Sequence, residues 1–266
     1  MSTGWSAPAV GALCDELIGT ASALAAVMRQ VADAASPAVG VWTVGEAAAH
    51  VSGSADYFLG AARGDRVRER IDQVDVANAR ALAAEHERDP RRLAARLEAG
   101  EAALAAFARE ADDDPLVQPF EGVEVPLSTL LGIELGELLV HGFDIANAAG
   151  LGWRISPEAA LLTLQAYLPL LPFVLDRGRA RGLRLALEIR VRGMRPMVVS
   201  IADQRLAVHR ADRGARVDAH MAVSPVAYLL LTWNRVPAWK AIVRGQLLVW
   251  GRHPGRAAQL GDLMLL

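Results

Sequence analysis

The segment Leu127–Ala149, LSTLLGIELGELLVHGFDIANAA, decides how the rest of the chain is read. It contains no lysine or arginine and runs into Gly150, the residue type that most readily closes a helix in the left-handed conformation. Its ionisable side chains Glu134, Glu137, His141 and Asp144 are spaced three, four and three residues apart. A helix therefore gathers them into one narrow stripe on an apolar cylinder. Solvated faces elsewhere in this chain are wide and rich in arginine. A stripe of carboxylates and imidazole with no long basic side chain faces inward instead. Buried carboxylates need a compensating charge, and a divalent metal supplies one. Glu137 and His141 are one turn apart and can reach one ion from the same helix, so a further ligand must come from a facing helix.

That facing helix is legible upstream. Thr43-Val44-Gly45-Glu46 is a capping box preceded by Trp42 at the staple position, which predicts a helix over 44–62. His50 lies two turns into it, among Ala47, Ala48, Ala49 and Val51. An isolated histidine on an apolar face is more often a satisfied core residue than a ligand. The Glu-x-x-x-His stripe reverses that weighting, and His50, Glu137 and His141 form the predicted ligand set. Two imidazoles and a carboxylate leave coordination positions open; the set suits zinc and would accept iron, nickel or manganese. Glu134 and Asp144 are assigned to support the ligands, although Asp144 reads equally well as an outward polar residue.

The remaining pattern divides the chain. Helical spacing over 10–33 stops at Ala35-Ser36-Pro37 and Gly40, and helix is favoured again over 74–110, restarted at Asp89-Pro90 by an N-cap followed by a first-turn proline. With 127–149 these make an antiparallel four-helix bundle. The period then changes. Leu185, Leu187, Ile189 and Val191 alternate with Ala186, Glu188, Arg190 and Arg192 as a half-buried strand does, and shorter extended stretches follow at 197–201, 206–209, 217–223 and 246–250. Ser224-Pro225 opens a helix to Trp233, and helices are expected over 157–175 and 256–265. The fold class is thus two-domain: a helical bundle over 1–152, then an α+β domain over 153–266 on a mostly antiparallel sheet.

Composition bounds the function. A chain of 266 residues with formal net charge −2 gives no electrostatic reason to expect nucleic acid as a partner. The longest uncharged run, 159–175, contains Gln165, Pro169 and Pro172 and falls short of the roughly 20 apolar residues that span a bilayer. The first residues lack the pattern of a signal peptide, and one cysteine, Cys14, fits a reducing cytoplasm. Cys14 lies beside Asp15 and Glu16, which disfavour a thiolate, so it is expected to be inert. Lys240 is the only lysine among 28 basic residues, a bias typical of a high-GC, actinobacterial genome.

At the quoted residues the sequence resembles the mycothiol-dependent maleylpyruvate isomerase family of the DinB-like superfamily. The likeness is carried by Trp42-Thr43-Val44, Glu46 and His50, and by Glu137 through Ala146. It implies a metal-binding bundle whose ligands, carried over by motif position, are again His50, Glu137 and His141, with mycothiol as the thiol cofactor. The second half, through 219–235 and 244–251, resembles sterol-carrier-protein-like domains. Arg235, at the end of a predicted helix, is the candidate to clamp a substrate carboxylate, against the plainer reading of a solvent-exposed arginine. His209, His220 and His253 have no partner spacing, and His86 sits in a charged stretch. The favoured function is a cytoplasmic transferase or isomerase, dependent on metal and thiol, that acts on a small electrophilic molecule. The alternatives are a carrier of an apolar ligand in the second domain and a metal-dependent hydrolase that works without a thiol. The maleylpyruvate substrate itself is not carried over, because a dianion needs positive groups and the helix bearing His50 supplies none before Arg63.

Overall fold

The computed structural model describes residues 7–212, 214 and 216–265. They form two compact units, one over Pro8–Ala166 and one built on Tyr167–Leu266.

The first unit contains α1 (Val10–Met28), β1 (Pro37–Val39), β2 (Trp42–Thr43), α2 (Val44–Ala62), α3 (Val74–Ala84), α4 (Pro90–Glu110), β3 (Leu116–Phe120), β4 (Val123–Pro126), α5 (Leu127–Ala149) and α6 (Pro157–Ala166). The long helices α1 and α2 each pack against both α4 and α5, and α6 packs along α5. Their shared core is aliphatic: Leu13, Leu17 and Leu24 of α1, Leu93, Leu97 and Leu104 of α4, and Leu130, Leu131, Leu135 and Leu138 of α5 are fully buried. The helix starts follow local chemistry. Thr43 and Glu46 cap α2 reciprocally, and the Asp89 carboxylate accepts the Arg91 N–H at the start of α4. For α5 the cap comes from a distance, since Asp114 accepts both the N–H and the hydroxyl of Ser128, each at 2.7 Å. Gly150 closes α5 at φ 66°, as predicted.

Among the described residues only α1 is long and apolar enough to cross a membrane, and its apolar face is packed against α4 and α5. The residues read as a breaker before α2 instead form the short antiparallel hairpin β1–β2, which delivers Trp42 to the start of α2.

In the second unit β5 (Leu185–Val191), β6 (Met197–Ala202), β7 (Arg205–Arg210), β8 (Ala219–Val223) and β9 (Leu247–Trp250) form one sheet in the order β7-β6-β5-β8-β9. The strands fall where the alternation placed them, but the sheet is mixed. Its central pair β5/β8 is parallel, and the β6–β7 hairpin lies within the long crossover that a parallel pair requires. The helices are α7 (Pro225–Thr232), α8 (Ala238–Val243), which the sequence did not announce, and a short α9 (Gln259–Asp262).

Three expectations need correction. The helix expected over 157–175 stops at Ala166, because Pro169 cannot donate to the helix ladder and disfavours helical backbone at Leu168. Its helical part therefore belongs with α5, and the compact units divide after Ala166 rather than after residue 152. The helix expected over 256–265 is a 3-10 turn, Pro254–Ala258, followed by the four residues of α9, whose Gly261 is a weak helix former.

Two glycines of α5 are fixed by close approach, Gly132, where a Cβ would lie 2.2 Å from the Cβ of Ala166, and Gly142. A Cβ at Gly142 would lie 2.3 Å from Cζ2 of Trp153, whose indole N–H donates to the Leu139 carbonyl at 3.0 Å. Gly142→Ala must displace that ring and is expected to destabilise the chain by about 2 kcal/mol in urea unfolding, overpacking and the lost hydrogen bond outweighing the gain in helix propensity. An unchanged unfolding midpoint would show that the ring yields freely.

Candidate metal centre

The capping box sets the register of α2 and so the direction in which His50 points. Thr43 Oγ1 accepts the Glu46 N–H at 3.2 Å, and the Glu46 carboxylate accepts the Thr43 N–H at 2.8 Å, one turn before His50. Across from it, α5 presents Glu137 and His141. Glu137 Oε2 stands 3.1 Å from His50 Nε2 and 3.2 Å from His141 Nε2, and the three ligand atoms lie within 4.8 Å of one another. Behind the triad, Asp144 Oδ2 is 3.2 Å from His141 Nδ1. Asp144 is buried against the imidazole.

The electrostatics agree with a site built for a cation. Burial by itself would raise the Glu137 carboxyl, but the hydrogen bonds from His141 and His50 override it and hold the group well below the usual carboxylate range. Burial would lower His141, yet its bonds to Asp144 and Glu137 prevail and push it up to about 9. His50 is lowered, chiefly by burial, and so offers a neutral imidazole. Donors on a tetrahedral ion with bonds near 2.0–2.1 Å stand about 3.3 Å apart, close to the two Glu137 to histidine separations here. An Nε2 facing the centre with Nδ1 held by a carboxylate is the usual orientation of a metal-bound histidine. The donor set, its spacing and its second-layer partner therefore fit a divalent metal.

Two neighbours complete the surroundings. The Trp42 indole lies 4.9 Å from the His50 ring and 5.8 Å from the His141 ring, walling one side. On the open side His50 and Glu137 line a cavity of about 380 Å³ shared with α3.

The sequence matches the family model described as mycothiol maleylpyruvate isomerase N-terminal domain over residues 12–146, a span that holds the whole triad. The chain belongs to this family. Among solved structures, that of a mycothiol-dependent maleylpyruvate isomerase is similar over 86% of this chain and 90% of its own, at 16% identity and a TM-score of 0.53. A histidine-to-alanine variant of such an isomerase is similar over 83% and 86%, at 14% identity and a TM-score of 0.51. These likenesses establish a shared two-domain α+β fold. No curated protein matches the sequence.

Within the family frame, the other predicted residues fall as follows. Glu134 does not touch the triad. Its Oε1 is 2.6 Å from Ser54 Oγ, and it is fully buried, as is Glu101, whose charge adds to burial in raising the Glu134 carboxyl. Arg235 donates to the Trp233 carbonyl at 2.6 Å, which closes the end of α7. Cys14 is fully buried and its thiol is pushed up, by burial first and by Asp15 only as a lesser cause. His86, His209 and His253 are exposed. His220, read as isolated, is not: it lies 3.0 Å from Glu188 across the parallel β5/β8 register and stacks on Trp250, 5.3 Å away.

Sequence reading missed Trp42 as a wall of the centre and Glu101 as the partner of Glu134. The wider Trp42-Thr43-Val44 motif contained the first signal. The second was hidden, because Glu101 sits on a helix otherwise dressed with Arg91, Arg92, Arg96 and Glu98.

Proposed function

We propose that the chain is a cytoplasmic enzyme that uses a divalent metal and a low-molecular-weight thiol, transferring that thiol to, or isomerising, a small electrophilic molecule. The observation that carries the reading is the convergence of His50, Glu137 and His141 beside an open cavity. The proposed scaffold is an antiparallel four-helix bundle of the DinB type, with zinc the metal that best suits the ligands and mycothiol the thiol that the family name supports.

When bound, the metal would supply the charge that keeps a thiol deprotonated near neutrality. The chain's own residues do the rest. Glu137, ionised even without metal, accepts from both imidazoles and so keeps their Nε2 atoms aimed at one point. Asp144 holds His141 Nδ1 and fixes the ring and tautomer. Trp42 packs over both rings and keeps water from that side. Cys14 is no substitute nucleophile, being fully buried with its Sγ 3.6 Å from the Ala105 carbonyl.

Elemental analysis of the purified, untagged protein, followed by thiol titration of the cobalt-substituted form, tests the reading. The expected result is about one metal ion per chain and a change in the cobalt absorption on adding thiol. A chain that takes up no metal after reconstitution would remove the enzyme reading, and a cobalt spectrum indifferent to thiol would shift it toward hydrolysis.

A further inference from the structure

The cavity beside the triad is walled by α2, α3, α4 and the β3 residue Phe120, all within the first unit. Its floor and sides are largely apolar, from Ala49, Gly53, Phe58, Val74, Leu82 and Phe120. Its ionisable lining runs the wrong way for an anion. Glu69, Glu85 and Glu137 are carboxylates, and Arg96 is the one guanidinium among the described lining residues. Arg96 is already engaged, ion-paired with Glu85 and, at 3.3 Å, with Asp56. The Tyr57 hydroxyl is likewise spent on the Pro119 carbonyl at 2.7 Å. Even with a divalent cation on the triad the lining carries no net positive charge, so a dicarboxylate whose one end met the metal would lose the hydration of its other end without gaining a free guanidinium there.

We infer that this cavity selects an uncharged, largely apolar molecule over a dicarboxylate. At about 380 Å³ it lies within the size range of small-molecule sites, and apolar walls with a few polar groups are what such ligands need. The assignment deepens the proposed function, resting on it for the reaction that follows binding. It also separates this chain's substrate class from the dianion that the family name suggests, with Ser54, Tyr57 and Asn78 the uncharged polar side chains of the lining.

The test compares phthalate with dimethyl phthalate, two probes of one skeleton that differ in charge, by calorimetry on the metal-reconstituted full chain. The neutral ester is expected to bind at least about tenfold more tightly than the dianion. Gly53→Leu should weaken ester binding by about tenfold or more, since a Cβ there meets only Arg96 Nη2 at 3.6 Å and a longer side chain projects into the cavity. Ala77→Phe, on the opposite wall, makes the same test should the first variant fold poorly. Glu85→Gln, by releasing Arg96 from one carboxylate, should narrow the gap between the two probes. Tighter or equal binding of phthalate, no binding of either probe, or ester binding indifferent to both filling variants would each overturn the inference. Metal content is measured on the same samples. A metal-free chain that still prefers the ester would sink the metalloenzyme reading and leave the cavity assignment standing.

Discussion

Replacing His141 with alanine is expected to lower the affinity for zinc by more than about a hundredfold, measured by competition with a chromophoric chelator at pH 7. The imidazole is one of three donors, and the other two cannot close the gap because each is fixed on its own helix. Asp144→Asn keeps all three donors but loosens the grip on His141 Nδ1, and should cost about 10- to 100-fold. His86→Ala, at an exposed residue, should change nothing. This graded order is the prediction: an equal loss in all three variants would mean general unfolding, and an unchanged His141→Ala would place the metal elsewhere. The pH dependence follows from the same geometry. His141 holds its proton up to about pH 9 through Asp144 and Glu137, so metal binding at neutral pH must expel it. Affinity should therefore rise about tenfold per pH unit until the group titrates, then level off.

Helix α5 shows why so much of the centre could be read in advance. Its charged residues keep helical spacing, and neutral apolar neighbours leave no other face for them, so Glu137 and His141 are together before any tertiary structure is known. The capping box likewise fixes α2 locally and brings His50 into phase. What escaped was set by tertiary pairing. The β5/β8 register that joins Glu188 to His220 spans a long crossover, and no local pattern encodes it. Phe120 reaches the cavity from a hairpin strand, β3, in a stretch whose composition reads as loop. Glu101 is buried although its helix carries arginines on neighbouring turns, because the packing of α4 against α1 and α2 decides which side faces inward.

That buried glutamate leads to the second large effect, on stability. Glu101 of α4 and Glu134 of α5 are both fully buried and are electrostatically coupled, so two negative charges there would be desolvated and would repel each other. Burial drives both up, Glu101 to about 7 and Glu134 well above the usual range, with Asp56 adding to the shift of Glu101. In the unfolded chain Glu101 titrates at its ordinary value near 4.5. Between that pH and about 7 the folded state holds a proton that the unfolded state has released, so stability falls as pH rises through this window. The loss contributed by Glu101 is on the order of 3 kcal/mol, from about 1.4 kcal/mol per pH unit. Glu101→Gln removes the titrating group at nearly constant size. In urea unfolding of the metal-free protein, the variant is expected to be more stable than the parent at pH 8 by about 1–3 kcal/mol, with little difference at pH 5. Parallel stability curves for the two chains would mean that the pair opens to water and pays no such penalty. A steeper fall in the variant would mean that Glu134 alone carries the charge.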